Sequence, residues 1–185
     1  MNGEKNGKGK EYDNDILIFE GEYLNGKRNG KGKKYHFNKL IFEGEYLDGK
    51  RNGRGKEYNN DGKFIFEGEY LNNKKWKGKG KKYNFNGRLI FEGIWSNGKK
   101  SGKAKEYGEY GKLTFEGEYL YNSIRKGKFY RNEKLEYEGD FLYNIKWNGK
   151  EYDENGNIIY ELKNGNGKVK EYDNFDGRLL LKENI

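Results

Sequence analysis

Paired carboxylates recur along this chain of 185 residues: Glu20 with Glu22, Glu43 with Glu45, Glu67 with Glu69. Two carboxyls can act as acid and base of a glycosidase when they face one another across a cleft in unlike environments. These pairs return with each repeat and stand among lysines, which is the pattern of ion pairs on an open surface. His36 is the only histidine, and one imidazole completes neither a catalytic triad nor a metal cluster. Cysteine is absent, so there is no thiolate nucleophile, thiolate metal site or disulfide.

Two further segments invite a chemical reading. Gly26-Lys27-Arg28-Asn29-Gly30-Lys31-Gly32 has the glycines and cations of a phosphate loop. Three residues rather than four separate its first two glycines, no Ser or Thr follows the lysine, and no helix follows the loop. Asp153-Glu154-Asn155-Gly156-Asn157 is too short for a calcium loop and lacks its distant bidentate glutamate. Both are turns of a repeat. The residues give no support to an enzyme, a metal or a cofactor.

The elements that position these groups are built from unusual material. Hydrophobic residues are 32% of the chain and charged residues 37%, a disorder-like balance, yet aromatic residues reach 17%. Whatever is buried is therefore mostly Tyr, Phe and Trp. Proline is absent, and 29 glycines fall at regular places. The start, MNGEKNGKGKEYD, has no apolar signal region and no stretch approaches the length of a membrane-spanning helix. With no cysteine, this fits a cytoplasmic protein, membrane-peripheral placement being the other option.

Internal periodicity dominates. Phe-Glu-Gly-Glu-Tyr begins at Phe19, Phe42, Phe66 and Phe115, with variants at Phe91 and Tyr137 and a degenerate copy at Tyr160. A second string resembling NGKGKEY has its first glycine at Gly7, Gly30, Gly53, Gly78, Gly102, Gly127, Gly149 and Gly167. Turn signals separate the strings: NGKRN or DGKRN at Asn25 and Asp48, and NDG, FNG or FDG before Lys63, Arg88 and Arg178. Short, aromatic-rich strings between such turns are strands. The fold expected is all-β: an elongated single-layer antiparallel meander of about seven β-hairpin repeats of 22–25 residues, with roughly fifteen strands. One array fills 1–185, with a half-repeat at 1–18, repeats starting near 19, 42, 66, 91, 115 and 137, and a degenerate capping repeat and terminal strand at 158–185.

Charge suggests the register. If Tyr23 faces Gly30, then Gly21 faces Gly32, Glu22 faces Lys31 and Glu20 faces Lys33; likewise Glu45 meets Arg54 and Glu43 meets Lys56. One face then carries rings over glycines and the other carries cross-strand ion pairs. Phe19, Tyr23, Phe42, Tyr46, Phe66, Tyr70, Phe91, Trp95, Phe115, Tyr119, Tyr137 and Phe141 form an aromatic stripe on the first face. The stripe serves as the core, and in an open sheet it also offers an interaction surface.

The units FEGEYLNGKRNGKGKEY and FEGEYLDGKRNGRGKEY resemble MORN (membrane occupation and recognition nexus) repeats, whose pattern is an aromatic-x-Gly-x-aromatic strand, a Gly-Lys turn and a Gly-x-Gly strand. The resemblance covers almost the whole chain. Ala104 and Phe129 stand where the second glycine of their strands is expected, Leu162 replaces the glycine of the seventh aromatic strand, and Asn or Lys replaces the customary turn histidine. The resemblance implies a single-layer antiparallel sheet, often dimeric, that serves as a protein-interaction scaffold.

The function expected is a non-enzymatic scaffold presenting an aromatic-lined groove. Its partner is another protein, as a helix or strand on the aromatic face, or a second copy of the chain. The alternative is a peripheral binder of anionic phospholipid through Lys-rich hairpins, motivated by a net charge of +8. Nucleic acid is disfavoured, because glutamates interleave the aromatic platforms that would stack bases.

Overall fold

The computed structural model describes residues 3–172 and 179–184. Sixteen strands follow one another without a helix among the described residues. They are β1 (Gly7–Asp13), β2 (Ile16–Leu24), β3 (Lys27–His36), β4 (Lys39–Leu47), β5 (Lys50–Tyr58), β6 (Phe64–Leu71), β7 (Lys74–Tyr83) and β8 (Leu89–Ser96). The remainder are β9 (Lys99–Tyr107), β10 (Leu113–Leu120), β11 (Ser123–Arg131), β12 (Lys134–Leu142), β13 (Ile145–Tyr152), β14 (Ile158–Leu162), β15 (Gly167–Tyr172) and β16 (Leu179–Asn184). Strands β1 to β14 lie in sequence order in one open antiparallel sheet, and β15 pairs with β16 in a separate ribbon. The fold is therefore the expected meander of hairpin repeats. Backbone contacts group the residues into two compact units, 1–82 with 93–99 and 83–92 with 100–185.

Turn chemistry sets the meander. Asn25–Gly26, Asp48–Gly49 and Asn164–Gly165 have positive φ at both positions, as a two-residue type I′ hairpin requires. The turn at 59–63 is longer, and Asn59 holds it by accepting the backbone N–H groups of Asp61 and Lys63 at 3.0 and 2.8 Å. The expected turn at Phe175-Asp176-Gly177 lies outside the described residues.

In the first unit a row of glycines crosses the sheet from strand to strand. Gly9 pairs with Gly21, Gly21 with Gly32, Gly32 with Gly44, Gly44 with Gly55, Gly55 with Gly68 and Gly68 with Gly78. A side-chain carbon on Gly21 would lie 2.6 Å from the Cα of Gly32, so only glycine allows this approach. The second unit repeats the row with Ala104 opposite Gly117, Gly117 opposite Gly127, Gly139 opposite Gly149, and Leu162 opposite Gly149.

Two register expectations are corrected. Within the β2–β3 hairpin Tyr23 faces Arg28, not Gly30, because a bulge falls between Gly21 and Tyr23. Gly30, at φ 86, takes up the bulge and faces the tyrosine of the next strand, Tyr46. Phe129 does not replace a row glycine: it faces Phe115, while Gly127 of the same strand faces Gly117. Gly78, Gly127 and Gly149 are thus row glycines, equivalent to the second glycine of the other strings.

Candidate functional site

Strand alternation separates two surfaces. On one, each ring lies against the glycine row; a side-chain carbon on Gly32 would meet Phe19 Cε2 at 2.8 Å and Tyr46 Cε2 at 3.3 Å. The rings interlock edge to face. Phe19 meets Tyr23 and Tyr46 with centroids 5.7 and 5.2 Å apart, Phe42 meets Tyr70 at 5.1 Å, and Phe66 meets Trp95 at 6.2 Å. In the second unit Phe115 meets Tyr119 at 5.6 Å and Tyr137 meets Phe141 at 5.5 Å. This geometry suits the ring quadrupoles.

A second layer covers the rings. The Arg28 guanidinium lies 4.2 Å over Phe19, Arg51 4.3 Å over Phe42, Lys100 4.1 Å over Phe91 and Lys146 4.6 Å over Tyr137. Carboxylates tie these cations to the tyrosines. Glu11 accepts the Tyr23 hydroxyl at 2.7 Å and pairs with Arg28. Glu57 accepts Tyr70 at 2.8 Å and holds Lys75 at 3.1 Å and Arg51 at 3.5 Å. Glu106 accepts Tyr119 at 2.7 Å and Lys100 at 2.9 Å. Arg28 keeps the Glu11 carboxyl below its ordinary range, and burial with Glu11 pushes Tyr23 up to about 12.

The aromatic stripe is consequently not an open surface. Phe19, Tyr23, Phe42, Tyr46, Phe66, Tyr70, Phe91, Phe115, Tyr119 and Tyr137 are buried, with Trp95 and Phe141 half-buried. The expectation of an aromatic-lined groove is corrected: the bulge that sets Arg28 opposite Tyr23 lets the guanidinium fold back over Phe19. Rings that were expected to meet a partner are packed between glycine backbone and ion pairs.

The hollow lies on the other surface. In the first unit a groove of about 1050 Å³ runs across β1 to β7, floored by the backbone of Gly9, Gly21, Gly32, Gly44, Gly55, Gly68 and Gly78. Its two walls carry like charges on each strand and opposite charges on the next. Lys8 and Lys10 on β1 are followed by Glu20 and Glu22 on β2, Lys31 and Lys33 on β3, Glu43 and Glu45 on β4, Arg54 and Lys56 on β5, and Glu67 and Glu69 on β6. The groove is thus crossed by alternating positive and negative bands. Some wall groups pair, Lys10 with Glu20 at 3.7 Å and Lys56 with Glu67 at 3.1 Å. Others bind backbone: Glu45 Oε2 accepts the Arg54 N–H at 2.8 Å. A side-chain carbon on Gly53, whose φ is 95, would occupy that carboxylate's place.

Sequence reasoning missed a second set of rings on this surface. Tyr35 donates to Glu20 at 2.7 Å, Tyr58 to Glu43 at 3.1 Å, Tyr107 to Glu92 at 2.7 Å, Tyr130 to Glu116 at 2.7 Å and Tyr152 to Glu138 at 2.6 Å. Each stands an even number of positions from the wall lysine of its own strand, so alternation alone would have placed it here. Burial, then the bond to Glu20, pushes Tyr35 up to about 12. Among the described residues no group of His, Asp and Glu could hold a metal ion, and no helix is long and apolar enough to cross a membrane.

The MORN repeat family model matches residues 1–15, 19–38, 42–64 and 91–109. These four segments are MORN repeats. No curated protein matches the chain. MORN repeats are generally associated with scaffolds that bind proteins or membranes, and they are typically non-catalytic. The matched segments hold the β1–β5 part of the groove and the glycines beneath Phe19 and Phe42.

Proposed function

We propose that this protein is a non-enzymatic scaffold that receives a helix of another protein in the groove of its first unit. The observation that carries the reading is the glycine floor between charged walls. A floor of bare backbone admits a partner closely, and six inter-strand steps of about 4.8 Å give the groove a length of roughly 29 Å, that of a helix of about twenty residues. Opposite bands about 4.8 Å apart correspond to roughly three residues of a helix rising 1.5 Å per residue. The fitting partner therefore carries acids and bases alternately at three- to four-residue intervals along one face. An extended strand, with like-facing side chains about 7 Å apart, falls out of step with the bands. The aromatic row supports the groove from behind. Cationic and acidic bands nearly cancel, which favours a protein over an anionic lipid surface.

The test exchanges two neighbouring bands. The double variant Lys56→Glu, Glu67→Lys keeps an opposite pair between β5 and β6 while inverting the pattern that a partner meets. Immobilised wild type and variant are exposed to native lysate, with circular dichroism confirming that both fold. A protein retained by the wild type and lost from the variant supports the reading. Identical sets overturn it. A concentration-dependent mass in light scattering that vanishes in the variant would assign the groove to a second copy of the chain, and sedimentation with anionic vesicles in place of any protein would assign it to a membrane.

A further inference from the structure

The layer over the aromatic row is built from repeating trios: a carboxylate on one strand, a tyrosine on the next and a cation on the third. Glu11, Tyr23 and Arg28 make one trio. Glu57, Tyr70 and Lys75 make another. Between them stands a third, on β3, β4 and β5, in which the carboxylate position is occupied by Lys34. Register fixes the equivalence, since Glu11 faces Phe19, Lys34 faces both Phe19 and Phe42, and Glu57 faces both Phe42 and Phe66. The trio Lys34, Tyr46 and Arg51 therefore has two cations, a phenol and no acid of its own.

The consequences are visible in the side chains. The Tyr46 hydroxyl is buried beside the Arg51 guanidinium, itself only a donor, and no acceptor takes its proton, whereas the hydroxyls of Tyr23 and Tyr70 each donate to a carboxylate. Tyr46 is only 5% exposed. Among the described residues Lys34 makes no ion pair, although it is half-buried beside Arg28 and Arg51. Burial and then the two guanidinium groups hold its pKa below the ordinary lysine range. Arg28 is committed to Glu11, and Arg51 turns to Glu57, which already serves Lys75 and Tyr70. A buried donor without an acceptor and an uncompensated ammonium beside two guanidiniums all ask for one thing.

From this we propose that the Lys34–Tyr46–Arg51 trio is a binding site for a small oxyanion of the phosphate class, which takes the place that a glutamate carboxylate occupies in the neighbouring trios. The anion accepts from the Tyr46 hydroxyl, from the Lys34 ammonium and from the Arg51 guanidinium, which swings from its longer contact with Glu57. The site lies on the aromatic surface, opposite to the groove, and is independent of what the groove receives.

The experiment is calorimetric titration of the full chain with inorganic phosphate at fixed ionic strength, chloride serving as the matched control. Wild type shows one saturable site and a rise in melting temperature that chloride does not reproduce. Tyr46→Phe removes one charge-assisted hydrogen bond and weakens phosphate about tenfold or more. Lys34→Glu supplies the missing carboxylate internally: it melts higher than wild type without phosphate and no longer responds to it. Lys34→Met, which removes the charge and adds no acid, loses the phosphate response and keeps the far-ultraviolet spectrum, so that loss of binding is separable from loss of fold. A wild type that responds neither to phosphate beyond chloride nor to the vesicles of the second arm overturns the proposal, as does an undiminished response in Lys34→Glu. Vesicles carrying a phosphomonoester headgroup form the second arm; saturation by these alone, abolished by Lys34→Glu, places the anion on a lipid rather than in solution.

Discussion

The hydroxyl of Tyr70 and the ammonium of Lys75 converge on one carboxylate, Glu57, at 2.8 and 3.1 Å, across three neighbouring strands. Removing that acid strands a buried donor and two cations at once, which costs more than the net worth of any single bond. Glu57→Ala is expected to destabilise the protein by about 2–3 kcal/mol in urea denaturation. Glu69→Ala, on the exposed groove wall, is expected to stay within about 0.5 kcal/mol. Equal effects would contradict the covering role of Glu57.

Tyr46 and Tyr70 occupy the same position in successive repeats, and both are buried. Only Tyr70 has an acceptor. Tyr70→Phe should therefore cost about 1–2 kcal/mol, whereas Tyr46→Phe should be neutral or slightly stabilising in phosphate-free buffer. Thermal melts of the two variants side by side read this directly; a loss at Tyr46 as large as that at Tyr70 would show that its hydroxyl has an acceptor after all.

Glycines differ by place. A side-chain carbon on Gly32 would run into the Phe19 ring, so Gly32→Ala should cost about 3 kcal/mol or prevent folding. Gly26 sits in a turn with φ 75 and open space around it, and Gly26→Ala should cost only about 1 kcal/mol, from the backbone. Chemical denaturation of both decides whether ring contact or turn conformation is the stricter demand.

Stability should form a plateau in pH. Glu11, Glu20 and Glu138 have lowered folded-state pKa values, through Arg28, Tyr35 and Tyr152 first of all. Their contribution is complete above the ordinary carboxylate range and is lost as pH falls through the lowered values. Tyr23 and Tyr35 are raised to about 12 by burial and then by Glu11 and Glu20. Their contribution is complete below the ordinary tyrosine value of about 10 and is lost as pH rises towards 12. Urea midpoints across pH should fall at both ends, and absorbance titration should show a tyrosine class ionising well above 10 that becomes ordinary in urea. Uniform titration near 10 would contradict the bonding described.

Much of this is legible in the sequence. In Phe-Glu-Gly-Glu-Tyr, alternation alone puts Phe19, Gly21 and Tyr23 on one side and Glu20 and Glu22 on the other, and the ion-pair register from Glu20 to Lys33 follows from charge. What stayed hidden depends on bulges. Gly30 lengthens β3 opposite Glu22, which moves Arg28 to face Tyr23 and brings its guanidinium over Phe19. Nothing in the spacing from Phe19 to Arg28 announces that contact, so the row of rings looked open. The same bulge is shorter on β7, where Tyr70 faces Lys75 and Gly78 faces Gly68. Counting glycines from the start of the string therefore put Gly78 and Gly127 out of phase and made Phe129 look like a lost glycine. The groove on the charged surface is hidden for a related reason: spacing shows glutamates and lysines meeting across strands, and only the glycine row between them makes a floor without side chains.

The tips that join β2 to β3, β4 to β5, β6 to β7 and β8 to β9 each borrow a seat from the repeat before. The N–H of Gly26 donates to Lys5 O at 3.0 Å, Gly49 to Arg28 O at 2.8 Å, Asn73 to Arg51 O at 2.9 Å and Gly98 to Trp76 O at 3.0 Å. Each of these four loops is thus moulded on its predecessor, like courses of brick laid on the one below. Unravelling that begins at one tip withdraws the support of the next, so damage spreads along the chain in order, and amide protons at successive tips should exchange as a graded series rather than all together.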